Sequence, residues 1–236
     1  MMPVLNGQSV NRLVMFSIVD QNQHFVVINK YHGVSVQKEA DHAALLPAVA
    51  SHIGVEKVYL VHRLDKMTSG LLLLATSSHA ASVLSGLFAS REIEKLYLAL
   101  SAKKPRKKQG LIVGDMAKGR RGSWKMLTSK DNPARTRFTS IAGGEGRRLF
   151  LCRPYTGKTH QIRVAMKSIG SPLIGDDYYG GEPADRGYLH AYGLQFTCRF
   201  ADDQPAKHYS YVLPPSQGEL WPTLPVEWEQ PWHLIS

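Results

Sequence analysis

The stretch Val61-His62-Arg63-Leu64-Asp65-Lys66-Met67-Thr68-Ser69-Gly70-Leu71-Leu72-Leu73-Leu74-Ala75 decides how the chain is read. It sets one carboxylate, Asp65, between two cations, Arg63 and Lys66. A Thr-Ser-Gly turn follows, then an unbroken apolar run. A short apolar run bounded by turn signals reads as a buried strand. Asp65 therefore belongs on a loop that enters a sheet close to the core. A carboxylate there needs partners, because an unpaired buried charge is costly. On this segment alone a turn-capping Asp and a functional Asp stand level.

Working outward, Val58-Tyr59-Leu60-Val61 predicts a strand leading into the loop, and Leu71 to Ala75 a strand leaving it. Ala80, Val83, Leu84, Leu87 and Phe88 then recur at helical spacing, with Ser77 or Ser78 as cap. Glu94 to Leu100 alternates: Leu96, Leu98 and Leu100 face one way, Tyr97 and Ala99 the other. Upstream, Phe16 to Val19 and Phe25 to Lys30 predict two strands joined by Asp20-Gln21-Asn22-Gln23, with His32-Gly33 ending the second. Residues 1–15 carry little pattern. Ala43 to Ile53 predicts a helix capped by Asp41 and stopped by Gly54, with Pro47 tolerated if the helix begins near Leu46.

Residues 101–130 change character. Lys103, Lys104, Arg106, Lys107 and Lys108 cluster, and Lys118, Arg120, Arg121 and Lys125 follow among glycines with Trp124 between them. Basic side chains around an exposed aromatic suit RNA backbone contact and base stacking. The stretch reads as a mobile insertion that orders on RNA; a solvated hairpin with ordinary surface charge is the bland counterpart. Ala134 to Ser140 and Arg148 to Arg153 alternate on either side of Gly143-Gly144-Glu145-Gly146, a hairpin.

The second dense motif is Arg153-Pro154-Tyr155-Thr156-Gly157-Lys158-Thr159-His160-Gln161-Ile162-Arg163-Val164. Gly157-Lys158-Thr159 is not a Walker A loop, because the glycine that loop requires is Cys152 here. From Thr159 a helix is predicted, burying Ile162, Ala165, Met166 and Ile169 and leaving Arg163 and Lys167 on a more polar side with His160. Ser171 to Gly180 is turn-rich. Leu189-His190-Ala191, with Leu194 and Phe196, predicts a core strand in which His190 is structural. Residues 213–232 hold five prolines and three tryptophans, the composition of an extended segment laid over a surface.

The 236 residues are 43% apolar, enough for one large domain, and the chain is read as a single catalytic domain over 1–236. No run reaches the ~18 apolar residues of a membrane helix, and no basic-then-apolar leader opens the chain. Cys152 and Cys198 lie far apart, which argues against a disulfide framework or a zinc site and fits a reducing cytoplasm. The ten histidines form no metal-ligand pattern, so no metal is expected. A formal charge of +10, from 29 basic and 19 acidic residues, points to a polyanionic partner. Charge alone does not separate RNA from DNA or from an acidic protein.

These motifs together resemble the RluA-type RNA pseudouridine synthases. His62-Arg63-Leu64-Asp65 with Thr68-Ser69-Gly70-Leu71-Leu72 resembles the family's catalytic signature, and Lys95-x-Tyr97-x-Ala99 its second motif. Thr156 to Arg163 is similar to its Thr-Gly-Arg-Thr-His-Gln-Ile-Arg motif, and Leu189-His190-Ala191 to its last. Three positions depart: Tyr31 stands for a Pro, Lys158 for an Arg and Ala165 for a frequent His. The resemblance spans about residues 16 to 200. It implies an α/β (α+β) fold, a long bent mixed sheet, mostly antiparallel and flanked by helices, with Asp65 in a cleft across its middle. Family members often carry a separate N-terminal S4 RNA-binding module, for which this chain is read as having no room.

The same resemblance implies isomerisation of uridine to pseudouridine in structured RNA, ribosomal or transfer, without a cofactor. Asp65 would be the nucleophile or base, and Arg163 its ion-pair partner. A carboxylate in a pocket is discouraged from ionising, and a two-donor guanidinium offsets that and fixes its orientation. Tyr97 would stack on the uracil and take the C5 proton. Ile162 and Leu189 would line the pocket, and Arg63 would fill the vacancy left by the flipped base. His62, Lys158, Lys103, Lys104, Arg120 and Arg121 complete the expected RNA contacts. A monomer is expected. Two other classes remain: a non-catalytic RNA-binding or RNA-folding module, which would keep its function as Asp65→Asn, and a base-releasing hydrolase, which would liberate uracil.

Overall fold

A computed structural model describes residues 15–36, 45–201, 203 and 205–235. The chain start and the proposed cap Asp41 lie outside them. In chain order the strands are β1 Phe16–Gln21, β2 Phe25–Lys30, β3 Tyr59–Leu60, β4 Ser69–Ala75, β5 Glu94–Ser101, β6 Gln109–Gly114, β7 Met116–Lys118, β8 Trp124–Met126, β9 Ala134–Ala142, β10 Arg148–Pro154, β11 Leu189–Cys198 and β12 Lys207–Val212. The helices are α1 Leu45–Ile53, α2 Ser78–Ala89 and α3 Gln161–Ser168. Pro47 sits in the first turn of α1, where its missing N–H has no intrahelical acceptor to lose. Ser77 caps α2, its hydroxyl accepting from the Ala80 N–H at 3.1 Å.

Ten strands make one mixed sheet in the order β1-β2-β4-β11-β5-β10-β9-β6, with β12 paired to β11 and β3 to β4. All pairings are antiparallel except that of β11 with β4. The same edge of β11 is shared: Ala191 and His190 pair with β4, then Gly193 to Cys198 pair with β12. β4 is shared in the same way, between β11 at Ser69 and Gly70 and β3 at Leu74 and Ala75. The sheet thus forks where β4 leaves β11, and the Asp65 loop, between β3 and β4, lies at the fork. Gly70 makes the close approach possible. Its φ is +103°, and a Cβ there would stand 2.3 Å from the Ala191 carbonyl oxygen.

The two faces of the sheet are covered by different parts of the chain. Leu96, Leu98 and Leu100 of β5 pack with Leu149, Leu151 and Tyr188 against the C-terminal segment, whose Trp228 and Ile235 are buried. Tyr192 fastens that segment, donating its hydroxyl to the Trp228 carbonyl at 2.6 Å. Ala99, Phe150 and Cys152 point the other way, onto Ile162, Ala165 and Met166 of α3. β4, buried at every residue, is the floor of a third cluster closed by α1 and α2.

One expectation is corrected. Residues 101–130 are not one mobile insertion. Gln109–Gly114 is the edge strand of the main sheet, paired residue by residue with β9, because Leu111, Ile112 and Val113 are apolar and strand-forming within the basic run. β7 and β8 form a separate hairpin whose tip carries Arg120 and Arg121, both exposed.

Candidate active site

A cleft of about 710 Å³ opens over the fork. It is lined by Asp65, Tyr97, Ile162, Arg163 and Leu189, with His62, Arg63 and Lys158 at its walls. The two motifs separated by nearly a hundred residues therefore meet. Asp65 comes from the loop before β4, where the Thr68 N–H donates to its backbone carbonyl at 3.0 Å. Arg163 comes from the first turn of α3 and is only 4% exposed, although helical spacing assigned it to the polar side. Its Nη1 donates to Asp65 Oδ2 at 3.1 Å. Asp65 keeps 18% of its side chain exposed, so a ligand in the cleft reaches it.

Arg163 has a second partner that sequence reasoning missed. Its Nε and Nη2 donate to the two carboxylate oxygens of Asp176 at 2.7 and 2.8 Å, and the Asp176 side chain is fully buried. Burial opposes the Arg163 charge; Asp176 first, then Asp65, outweigh burial and hold the guanidinium above its ordinary pKa. The arginine is thus anchored bidentately from behind and offers its remaining nitrogen forward.

The N-terminus of α3 is set by Gln161. Its side-chain oxygen accepts from Thr156 Oγ1 at 2.7 Å and from the Lys158 N–H at 3.1 Å. Its amide donates at 3.0 Å to both the Arg135 carbonyl and Thr136 Oγ1. Every hydrogen-bonding valence of this buried amide is used, which ties the motif loop to β9. Lys158 Nζ reaches the Asn132 carbonyl.

Tyr97 projects from β5 on the side opposite the leucines. Burial, then the Asp65 charge, push its hydroxyl pKa up, so at neutral pH it is a phenol. That suits stacking and hydrogen-bond donation. His62 is held as a neutral ring: its Nε2 accepts from the Leu73 N–H at 2.9 Å, it stacks on Phe88 at 4.5 Å, and burial pushes its pKa down to about 3. It shapes the wall and does not supply positive charge. Behind the loop, Lys30 is fully buried, donating to the carbonyls of Tyr31 and Val34 at 3.0 and 2.8 Å, and burial brings its pKa down to about 7.

The positive charge of the cleft comes from Arg63, Arg91, Lys95, Arg135, Arg153 and Lys158. Of these, Arg153 is committed to Glu94 at 2.7 Å. Lys103, Lys104, Arg120 and Arg121 do not line it. Arg106 and Lys107 line another cavity, of about 600 Å³, beside β6 and the end of α3. The 3₁₀ turn bearing Arg120 and Arg121 ends at Gly122, close to Tyr178, a residue 57% exposed whose ring sits over Arg163 at 5.5 Å. Among the described residues no group of three or more His, Cys, Asp or Glu stands where it could hold a metal ion, and no helix is long and apolar enough to cross a membrane.

Compared with known proteins, residues 24–168 match the family model described as RNA pseudouridylate synthase. An uncharacterized RNA pseudouridine synthase of Haemophilus influenzae is 51% identical over 86% of this chain and 89% of its own length. Ribosomal large subunit pseudouridine synthase D of Nitrosomonas europaea is 31% identical over 82% of this chain and 63% of its own. tRNA pseudouridine synthase C of Yersinia pestis is 30% identical over 92% and 88%. The solved structure of human RNA pseudouridylate synthase domain containing 1 has the same fold, with a TM-score of 0.72 over 92% of this chain and 94% of that one at 23% identity.

Proposed function

We propose, from the premise that this chain belongs to the RluA-type RNA pseudouridine synthases and is an isomerase, that it converts a uridine of structured ribosomal or transfer RNA to pseudouridine at Asp65. The observation that carries the assignment is the Arg163–Asp65 contact at 3.1 Å on the floor of a positively lined cleft. Isomerisation breaks the N1–C1′ bond, turns the uracil and forms C5–C1′. C5 loses a proton and N1 gains one; no electrons are exchanged, so no redox partner or metal is called for by the balance.

The glycosidic carbon of a stacked uridine is out of reach, so the nucleotide flips into the cleft. Ile162 and Leu189 supply apolar contact, Tyr97 a ring to stack on, and Arg63, exposed on the Asp65 loop, a planar cation to take the vacated place in the stack. Arg163 approaches Oδ2 of Asp65, which leaves Oδ1 as the oxygen to meet the sugar. Asp65 acts on the sugar as nucleophile or base. On the nucleophilic route the carboxylate released when C5–C1′ has formed takes the C5 proton, and N1 gains one from solvent. The basic rim holds the phosphates on either side, which makes binding salt-dependent.

The test compares wild type and Asp65→Asn on transfer and ribosomal RNA transcripts, quantifying pseudouridine and RNA affinity. Product from wild type, none from the variant and equal binding by both are expected. Undiminished product from Asp65→Asn removes Asp65 from the reaction. Mapping pseudouridines in cells lacking the protein identifies the target RNA.

A further inference from the structure

A second donor stands beside Asp65, aimed at it by a chain of hydrogen bonds that begins outside the cleft. His160, immediately before α3, has a left-handed backbone, φ +57° and ψ 18°. This conformation is uncommon for a residue with a Cβ and persists where the surroundings fix it. Here Gln161 fixes the residues on either side through its four hydrogen bonds. The result is that the imidazole points inward. Nε2 lies 3.9 Å from Asp65 Oδ2, and Nδ1 lies 2.8 Å from the Tyr179 hydroxyl.

The direction of the protons follows from the far end of the chain. The Trp124 backbone N–H, on β8, donates to the Tyr179 hydroxyl at 3.0 Å. A backbone N–H only donates, so the Tyr179 oxygen is an acceptor there and its own proton is free for His160 Nδ1. With Nδ1 as the acceptor of that proton, a neutral ring carries its own on Nε2, the atom that faces Asp65. The opposite tautomer sets a lone pair against a carboxylate and leaves the Tyr179 proton without that acceptor. The ring is kept neutral chiefly by burial, with Asp65 opposing. The other charged or titratable groups that bear on the ring are Arg163, Asp176 and Arg63, with the Tyr178 and Tyr179 rings in T-shaped contact with it at 5.9 and 5.7 Å.

We infer that His160 is a positioning residue for Asp65: an Nε2–H donor that closes onto Oδ2 when the cleft is occupied, its tautomer set by Tyr179 and, through Trp124, by the basic hairpin. This rests on Asp65 being the reacting carboxylate. Arg163 and His160, from the first turn and the N-cap of α3, then converge on one oxygen, and the second oxygen is held in a single orientation. Because the last link belongs to the hairpin that carries Arg120 and Arg121, RNA seated on that hairpin steadies the geometry at Asp65 without touching it.

Two measurements test this on the full-length protein. The first reads the imidazole nitrogens of His160 by long-range ¹H–¹⁵N correlation in the ¹⁵N-labelled protein without RNA. Wild type is expected to show a proton on Nε2 and none on Nδ1 between about pH 6 and 9, and Tyr179→Phe a mixture of tautomers. A ring protonated on Nδ1, or charged at neutral pH, overturns the inference. The second is single-turnover pseudouridine formation at saturating RNA. Tyr179→Phe is expected to lose about tenfold in rate, one hydrogen bond's worth, with RNA affinity unchanged. His160→Leu loses at least as much, His160→Gln, which keeps a side-chain N–H, restores most of the rate, and Tyr179→Phe adds nothing in the His160→Leu background. Losses that multiply, or that fall on RNA affinity instead of rate, overturn it. If wild type forms no pseudouridine on any RNA, the functional reading fails, and the nitrogen measurement still judges the hydrogen-bond chain alone.

Discussion

Replacing Arg163 with Met separates what this arginine does for the fold from what it does for Asp65. Behind it, the substitution strands Asp176, a fully buried carboxylate deprived of both bidentate bonds. Removing one partner of such a pair costs about 3–5 kcal/mol. For a domain of this size that is a fall in Tm of about 10 °C. In front, it removes one charge-assisted hydrogen bond to Asp65, worth about 1.5–3 kcal/mol, or roughly 10- to 150-fold in turnover. Adding Asp176→Leu replaces the stranded charge with an apolar side chain of similar size, and buried pairs exchanged this way are often neutral. The double variant Arg163→Met/Asp176→Leu is therefore expected to regain most of the lost Tm and none of the lost turnover. Thermal unfolding and single-turnover pseudouridine formation measure the two quantities on the same preparations. Turnover that returns with stability in the double variant would refute the division, because it would mean that Arg163 acts only by supporting the fold.

Three further outcomes are expected. Alanine at Arg120 and Arg121, on the turn close to Tyr178, weakens RNA binding and flattens its salt dependence by about one unit of slope for each phosphate no longer neutralised, in a titration of affinity against KCl. Acid destabilises through His190, whose Nδ1 faces Ser69 Oγ at 2.7 Å and whose Nε2 donates to the Leu213 carbonyl at 2.8 Å. Burial pushes its pKa from 6.5 down to about 4, so the unfolded chain takes up a proton before the folded one does. Its share of stability is intact above pH 6.5 and is lost between 6.5 and about 4, about 3 kcal/mol in all, and His190→Gln flattens denaturant midpoints over that window. Gly70→Ala, which must displace the Ala191 carbonyl, costs about 3 kcal/mol or more and is visible as a drop in Tm.

Where burial imposed a clear period, the sequence was legible. β4 is a solid apolar run, β5 alternates between two covered faces, and α2 repeats every three to four residues; each element formed where its pattern stood. β12, Lys-His-Tyr-Ser-Tyr-Val, went unread because it is half-exposed and mostly polar. β6 was hidden by the basic residues before it. At the site, Asp65 and Arg163 were legible through motif resemblance, and no spacing rule would have joined them. Asp176 was not, since an Asp in a turn-rich Asp-Asp-Tyr-Tyr-Gly passage looks like any turn-former. The signal was present in another form: an arginine set within the apolar run Ile162-Arg163-Val164-Ala165-Met166 calls for an acid nearby if that face is buried. His160 was placed on the right side of α3, but its inward aim depends on a left-handed backbone that composition does not announce.

The fork in the sheet also bears on how the protein comes into being on the ribosome. The strand after Asp65 cannot be completed until a segment more than a hundred positions later arrives to lie beside it, as the Ser69–His190 contact across 121 positions records. Partners so distant along the chain meet slowly. A nascent polypeptide that already displays both acidic and basic motifs still lacks the groove between them, and the face of β5 awaiting Trp228 stays uncovered by it until that residue has emerged. Synthesis itself thus delays the onset of activity, and the tract from 226 to 235 is where truncation would leave a sticky, half-closed product.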